Sequence, residues 1–201
     1  MKDLKKIFIL GALIVSIVLF VSAVVSAANP IVTIVPTGYA KKVRVTIDQL
    51  STPATVWVVG ADDVVLLEEK TTGEKFAKLF NLENLPAGEY KIIINTDRKE
   101  IIQPLTLTTS NVAVNEAKRE EYFAPFIKVR EGFVDVSLLN NRLTDVQVAF
   151  LDEQGGILFE ENLDNVLKVE KRYRLSDLNK GSYTVRVSTP HKDYYHAVAV
   201  R

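Results

Sequence analysis

The chain has no cysteine, a single tryptophan, a single methionine and two histidines, and its positive charge is nowhere gathered into a block. Without thiols there is no disulfide framework, no thiolate metal site and no lipid-modified cysteine behind the leader. Its 25 basic and 25 acidic residues are dispersed over 201 positions, so the clustered cations that displace counterions from phosphates are missing and nucleic acid is excluded as a partner. Also absent are a Gly-x-Ser-x-Gly elbow, a phosphate loop and a His-Glu-x-x-His helix. His191 and His196 stand five positions apart and would face opposite sides of a regular strand, which argues against a shared metal ion. The acidic pairs Asp62-Asp63, Glu68-Glu69, Glu120-Glu121 and Glu160-Glu161 would likewise split between two faces, one member solvated and one protecting an edge. "DEQGG" at 152–156 offers two carboxylates, too few for a calcium loop. The expectation is a non-enzymatic protein with no catalytic, cofactor or metal site.

What is present begins with an address. Lys2, Lys5 and Lys6 precede an apolar run from Ile7 to Val25, followed by small residues at Ser26, Ala27 and Ala28, the order of a secretory signal peptide. Cleavage is expected after Ala27. The alternative is an uncleaved anchor, because 19 apolar residues fall within the ~17–25 that span a bilayer; residues 7–25 are then the only contact with membrane. Removing Lys2, Lys5, Lys6 and Asp3 leaves 22 basic and 24 acidic side chains on 174 residues.

Beyond the leader, period-two alternation dominates. In "KKVRVTID", Val43, Val45 and Ile47 alternate with Arg44, Thr46 and Asp48; in "SYTVRVST", Tyr183, Val185 and Val187 alternate with Thr184, Arg186 and Ser188. Turn residues such as Thr52-Pro53, Asp62-Asp63, Asn140-Asn141 and Thr189-Pro190 separate these runs, which is the pattern of an all-β sandwich.

The runs repeat. "VRVTIDQL" (43–50) lies over "VDVSLLNN" (134–141) at an offset of 91; "VWVVGADDVVLLEE" (56–69) over "VAFLDEQGGILFEE" (148–161) at 92; "FNLENLPAGEYKIIINT" (80–96) over "YRLSDLNKGSYTVRVST" (173–189) at 93. Each copy is about eighty residues, the size of a small immunoglobulin-like domain. The expectation is two tandem immunoglobulin-like β-sandwiches: residues 1–27 signal peptide, 28–109 first sandwich, 110–123 a linker or a single helical turn, and 124–201 second sandwich.

The repeated "LPAGEY" and "LNKGSY" suggest a turn in which Gly88 and Gly181 adopt a backbone other residues resist. Tyr90 and Tyr183 would then bury their rings and return a hydroxyl to the preceding turn. Trp57 is expected in the core. Tyr122, Phe123 and Phe126 in the linker and Tyr194 and Tyr195 in the last hairpin are the candidates for a seam between the copies, or for a partner-binding patch if exposed.

"VQVAFLDEQGGILFEEN", then "YRLSDLNKGSYTVRVST" and "YYHAVAVR", resembles the C-terminal sorting domain of type IX secretion in the Bacteroidetes, with matches at Asp152, Gly155 or Gly156, Leu175, Leu178, Gly181 and Tyr183. The resemblance covers about the last seventy residues and implies an exported sandwich. Together the readings point to an exported structural, adhesive or protein-binding module of the bacterial periplasm, envelope or surface, whose partner is a protein or envelope component. Strand addition at open edges would also allow self-association. Two alternatives stand beside it: a glycan-binding accessory, which requires exposed coplanar rings including Trp57 or Tyr194, and a secretion cargo whose last domain is the address.

Overall fold

Alternation along the chain becomes burial on one face. In β1 (Ile31–Pro36) Val32 and Ile34 are buried, and in β2 (Lys42–Asp48) Val43, Val45 and Ile47 are fully enclosed while Arg44 and its polar neighbours face out. The computed structural model describes residues 29–38, 40–176 and 178–200; the expected leader lies outside them. Among the described residues the fold is all-β, interrupted by one 3-10 turn at Glu116–Lys118.

The first core lies between two antiparallel sheets. One has the order β1, β2, β5 (Phe76–Asn81). The other runs β4 (Val65–Lys70), β3 (Thr55–Gly60), β6 (Gly88–Asn95), β7 (Lys99–Leu107), β8 (Val112–Val114), with β9 (Glu120–Phe123) also on β7. Its centre is Val43, Val45, Ile47, Val56, Val58, Leu82, Ile92, Ile94, Ile101 and Leu105, all at zero exposure. The second core repeats the plan with β10 (Phe126–Arg130), β11 (Phe133–Leu139) and β14 (Lys168–Arg174) facing β13 (Ile157–Leu163), β12 (Val146–Leu151), β15 (Gly181–Ser188) and β16 (Asp193–Val200). Val134, Val148, Val185 and Val187 are fully buried there.

The duplication is visible in the bonding as well as the pattern. Gly88 stands opposite Leu107 and Gly181 opposite Val200, both at the offset of 93. Lys78 bridges to Glu69 across the mouth of the first sandwich, and Lys171 bridges to Glu161 across that of the second. The inward member of each Glu-Glu pair thus ties an edge strand of one sheet to an edge strand of the other. The copies differ at one end: β7 is covered by β8 and β9, whereas β16 is the last strand of its sheet among the described residues.

The repeated hexapeptides form matching corners. Leu82 donates its N–H to the carbonyl of Lys41 and Leu175 to that of Gly132; Tyr90 Oη donates to the Pro86 carbonyl at 3.0 Å and Tyr183 Oη to the Asn179 carbonyl at 2.9 Å. Only one of the two glycines serves as expected. Gly88 has φ 159°, a backbone that residues with a side chain rarely adopt, whereas Gly181 has no positive φ; Gly132 and Gly155 are left-handed as well. A Cβ at Gly181 would meet the Tyr183 ring at 3.8 Å, an ordinary contact. Gly181→Ala is therefore expected to change stability by less than about 0.5 kcal/mol in urea unfolding. Tyr90→Phe, which strips a partner from a half-buried carbonyl, should cost about 1 kcal/mol.

Trp57 also departs from expectation. Parity along β3 gives the core positions to Val56 and Val58, so the indole lies half-buried on the outer face, and its Nε1 donates to Glu68 Oε2 at 3.2 Å. That bond, with Lys70 alongside, holds the Glu68 carboxyl below the usual range.

Candidate functional site at the junction of the two cores

Residues 110–123, expected as a linker or a single helical turn, hold two short strands with one 3-10 turn between them. Val112 to Val114 pair with Leu107 to Leu105, the chain makes its 3-10 turn, and Glu120 to Phe123 return to pair with Ile102 to Lys99. β9 is thus hydrogen-bonded into the first sheet, while Phe123 at its end packs on the second core. One short strand serves both cores, and a cluster of polar side chains surrounds it.

Tyr122 is at its centre. Its ring stacks on His191 with centroids 3.6 Å apart and planes 7° from parallel, and the Arg142 guanidinium stands 5.4 Å over it. Tyr122 Oη donates to Glu120 Oε2 at 2.7 Å, and Arg142 reaches Glu120 Oε1 at 3.0 Å. These two partners, the hydroxyl first, hold the Glu120 carboxyl below its ordinary value, while burial and the adjacent carboxylate raise the Tyr122 phenol. His191 Nε2 lies 2.6 Å from Glu100 Oε1 on β7, and Lys192 Nζ lies 3.6 Å from the other oxygen. Tyr194 Oη donates to the Phe123 carbonyl at 3.4 Å; its phenol is raised by burial and by Glu100.

A cleft of about 290 Å³ opens beside this cluster, lined by Tyr122, Phe123, Asn140, Arg142, His191 and Tyr194 among others. The side-chain amide of Asn140 bonds to the carbonyls of Thr144 at 2.7 Å and Val166 at 2.8 Å, so its floor is fixed by the loops of the second core. Four of these contacts cross the joint: Arg142 to Glu120, His191 and Lys192 to Glu100, and Tyr194 to the Phe123 carbonyl. No nucleophile among them is aligned with a free base, and the arrangement is suited to holding two bodies in register.

Of the aromatic candidates, the structure brings Tyr122, Phe123 and Tyr194 together, half-buried in the seam. Phe126 on β10 and Tyr195 on β16 lie apart from it, each 64% exposed. Four participants, Glu100, Glu120, Arg142 and His191, were not expected from the sequence. Glu120 lies on β9, which has no counterpart in the second copy, Arg142 and His191 lie on turns, and Glu100 lies on a strand whose outward partner no local pattern encodes. His196 is exposed on β16, away from His191. No group of three or more histidine, aspartate or glutamate side chains among the described residues could hold a metal ion.

No family model and no curated protein matches the chain. Among solved structures it is similar to the BSP domain of a biofilm-associated protein, at 15% identity over 82% of this chain and 29% of that one, with a TM-score of 0.28. It is also similar to a two-domain fibronectin type III segment from chicken tenascin, at 9% identity over 86% of this chain and 100% of that one, TM-score 0.32. A third is the human OSCAR ligand-binding domain, at 12% identity over 87% of this chain and 99% of that one, TM-score 0.25. The chain spans less than a third of the length of the first of these.

Proposed function

We propose that the chain is an exported, non-catalytic module of the bacterial envelope or surface, built of two sandwiches held by the joint at β9 and acting through protein contacts. The observation that carries this reading is the distribution of exposed apolar side chains. They run along sheet edges: Val65 to Leu67 on β4 with Val64 just before it, and Ile157, Leu158 and Phe159 on β13. An apolar edge with unpaired backbone groups is a surface for another polypeptide.

A glycan-binding role is less well supported. It needs an open aromatic platform, whereas Trp57 is half-buried and bonded to Glu68 and Tyr194 is folded into the joint. A sorting role for the second sandwich rests on the resemblance in "LNKGSY" and its neighbours. It makes a separate prediction: deletion of residues 124–201 should trap the protein in the periplasm, and unchanged export would remove that reading. The main proposal is tested by capture from native envelope with the purified protein as bait. Specific retention of polypeptide is the expected outcome; hydrolysis of a glycan, ester or peptide panel would overturn it.

A further inference from the structure

Strand pairing gathers charge that the chain itself disperses. In the sheet β10, β11, β14, Ile127, Val134, Val136 and Val169 point into the second core, so the residues that alternate with them lie on the outer face. The register sets Lys128, Asp135 and Arg172 in one row and Arg130, Phe133 and Arg174 in the next. With Lys168 and Glu170 further along β14, the face carries five cations against two carboxylates, and Phe126, 64% exposed, stands beside Lys128. Asp135 orients two of the cations: Arg172 donates to its two oxygens at 2.6 and 3.0 Å, and Arg130 Nε lies 2.9 Å away. Arg172 also stands 5.7 Å over the Phe133 ring. The fold does not require this charge. At the same register positions the first sandwich has Val35, Leu79 and Asn81 in place of Lys128, Arg172 and Arg174.

The β14 edge of this face opens into a cleft of about 350 Å³. Buried Phe150 lies at its floor, Phe159 and Tyr173 meet that ring edge-on with centroids 6.1 and 5.1 Å away, and Leu158, Arg172 and Arg174 reach its rim. Tyr173 Oη donates to Glu161 Oε2 at 2.8 Å, which fixes its ring. Leu158 is the extra residue of a β-bulge, since Phe150 stands opposite Phe159 and Leu151 opposite Ile157. The bulge interrupts regular pairing along this edge and presents Leu158 at the cleft, so the edge is suited to receiving a side chain. The first sandwich has Val58, Leu67 and Phe80 where these three rings stand.

We propose that this face and its cleft are the docking site for an acidic segment of a partner protein, which puts a large apolar side chain in the cleft and its carboxylates on the cations. The claim deepens the protein-binding reading above and rests on it. Charge selects an acidic occupant. Composition selects a polypeptide over a lipid surface: Arg130, Arg172, Arg174, Phe126 and Phe133 are the residue types that dominate protein interfaces, where lysine is depleted. Guanidinium forks already held by Asp135 lose little freedom when a further carboxylate arrives.

The test is titration of the exported protein, followed by fluorescence anisotropy, into a short labelled peptide with phenylalanine set among glutamates. Two companion peptides carry alanine for the phenylalanine or lysine for the glutamates. The first peptide is expected to bind at least about tenfold more tightly than either companion, with affinity falling as salt rises. Lys128 and Leu158 are exposed and belong to neither core, so Lys128→Glu and Leu158→Asp should each weaken binding about tenfold at unchanged unfolding midpoints. Val35→Glu, at the position matching Lys128 in the first sandwich, should leave binding unaltered. Equal affinity for all three peptides, binding of none, unchanged affinity in both variants, or binding to phosphatidylglycerol vesicles in place of peptide overturns the inference. Undiminished capture of envelope polypeptide by a K128E/L158D protein would overturn the docking site while leaving the protein-binding reading intact.

Discussion

Ile92→Asp is expected to abolish cooperative unfolding of the first core while leaving a melting transition for the second. Ile92 is fully enclosed between the sheets, with Val58 opposite it on β3 and Gln103 on β7. A carboxylate there has no cation within its enclosure, and burying it unpaired costs several kcal/mol, comparable with the ~5–15 kcal/mol that stabilises a domain. Val185→Asp, at zero exposure in the second core, should produce the mirror result. Calorimetry of both variants is the check. If each core is its own folding unit, one of two transitions disappears in each protein; loss of all cooperative unfolding in both would show a single unit. The milder Ile92→Ala should lower only the first transition, by a destabilisation of about 2–5 kcal/mol.

The cores were legible because period-two burial is a local property of the chain. Val43, Val45 and Ile47 announce their face without help from any neighbour, and the same holds for Val185 and Val187. Trp57 shows the limit of that logic. Its size suggested the interior, but parity along β3 is stronger than size, and Val56 and Val58 already filled the inward positions. Gly181 marks a second limit. A repeated glycine suggested a special backbone in both copies, which Gly88 has at φ 159° and Gly181 lacks, the Tyr183 ring lying close beside it.

The joint was legible only as a cluster of aromatic residues. Tyr122 and Phe123 were expected at a seam, but a segment with charges at Glu116, Lys118, Arg119, Glu120 and Glu121 resembled a solvated linker. Three of those charges are instead engaged within the fold, Lys99 and Arg119 pairing with Glu121 and Arg142 with Glu120, while Glu116 and Lys118 are exposed. Such pairings are non-local, and the alternation that marks a strand is masked when both faces of a four-residue segment are half-buried.

Tyr122→Ala is expected to convert the joint into a hinge. The substitution removes the stack on His191, the ring beneath Arg142 and the hydroxyl that orients Glu120, while the backbone pairing of β9 with β7 survives. Each remaining ion pair is partly solvated and worth less than about 1 kcal/mol, too little to fix two bodies of this size. Nitrogen-15 relaxation should then report two bodies tumbling separately, with correlation times falling roughly twofold, at nearly unchanged unfolding midpoints. Acid should act on the same joint. Glu120 is held below its ordinary value of 4.5 by Tyr122 and Arg142; burial works against ionisation of Glu121, but Lys99 and Arg119 outweigh it and that carboxyl is lowered too. A depressed folded pKa contributes stability that is complete above the unfolded value and is lost as pH falls through the folded one. The unaltered protein should therefore tumble as one body at about pH 6 and loosen progressively below about pH 4, whereas Tyr122→Ala should already be loose at neutrality. Unchanged correlation times in the variant at both pH values would show that the packing of Phe123 and Tyr194 alone holds the two cores together.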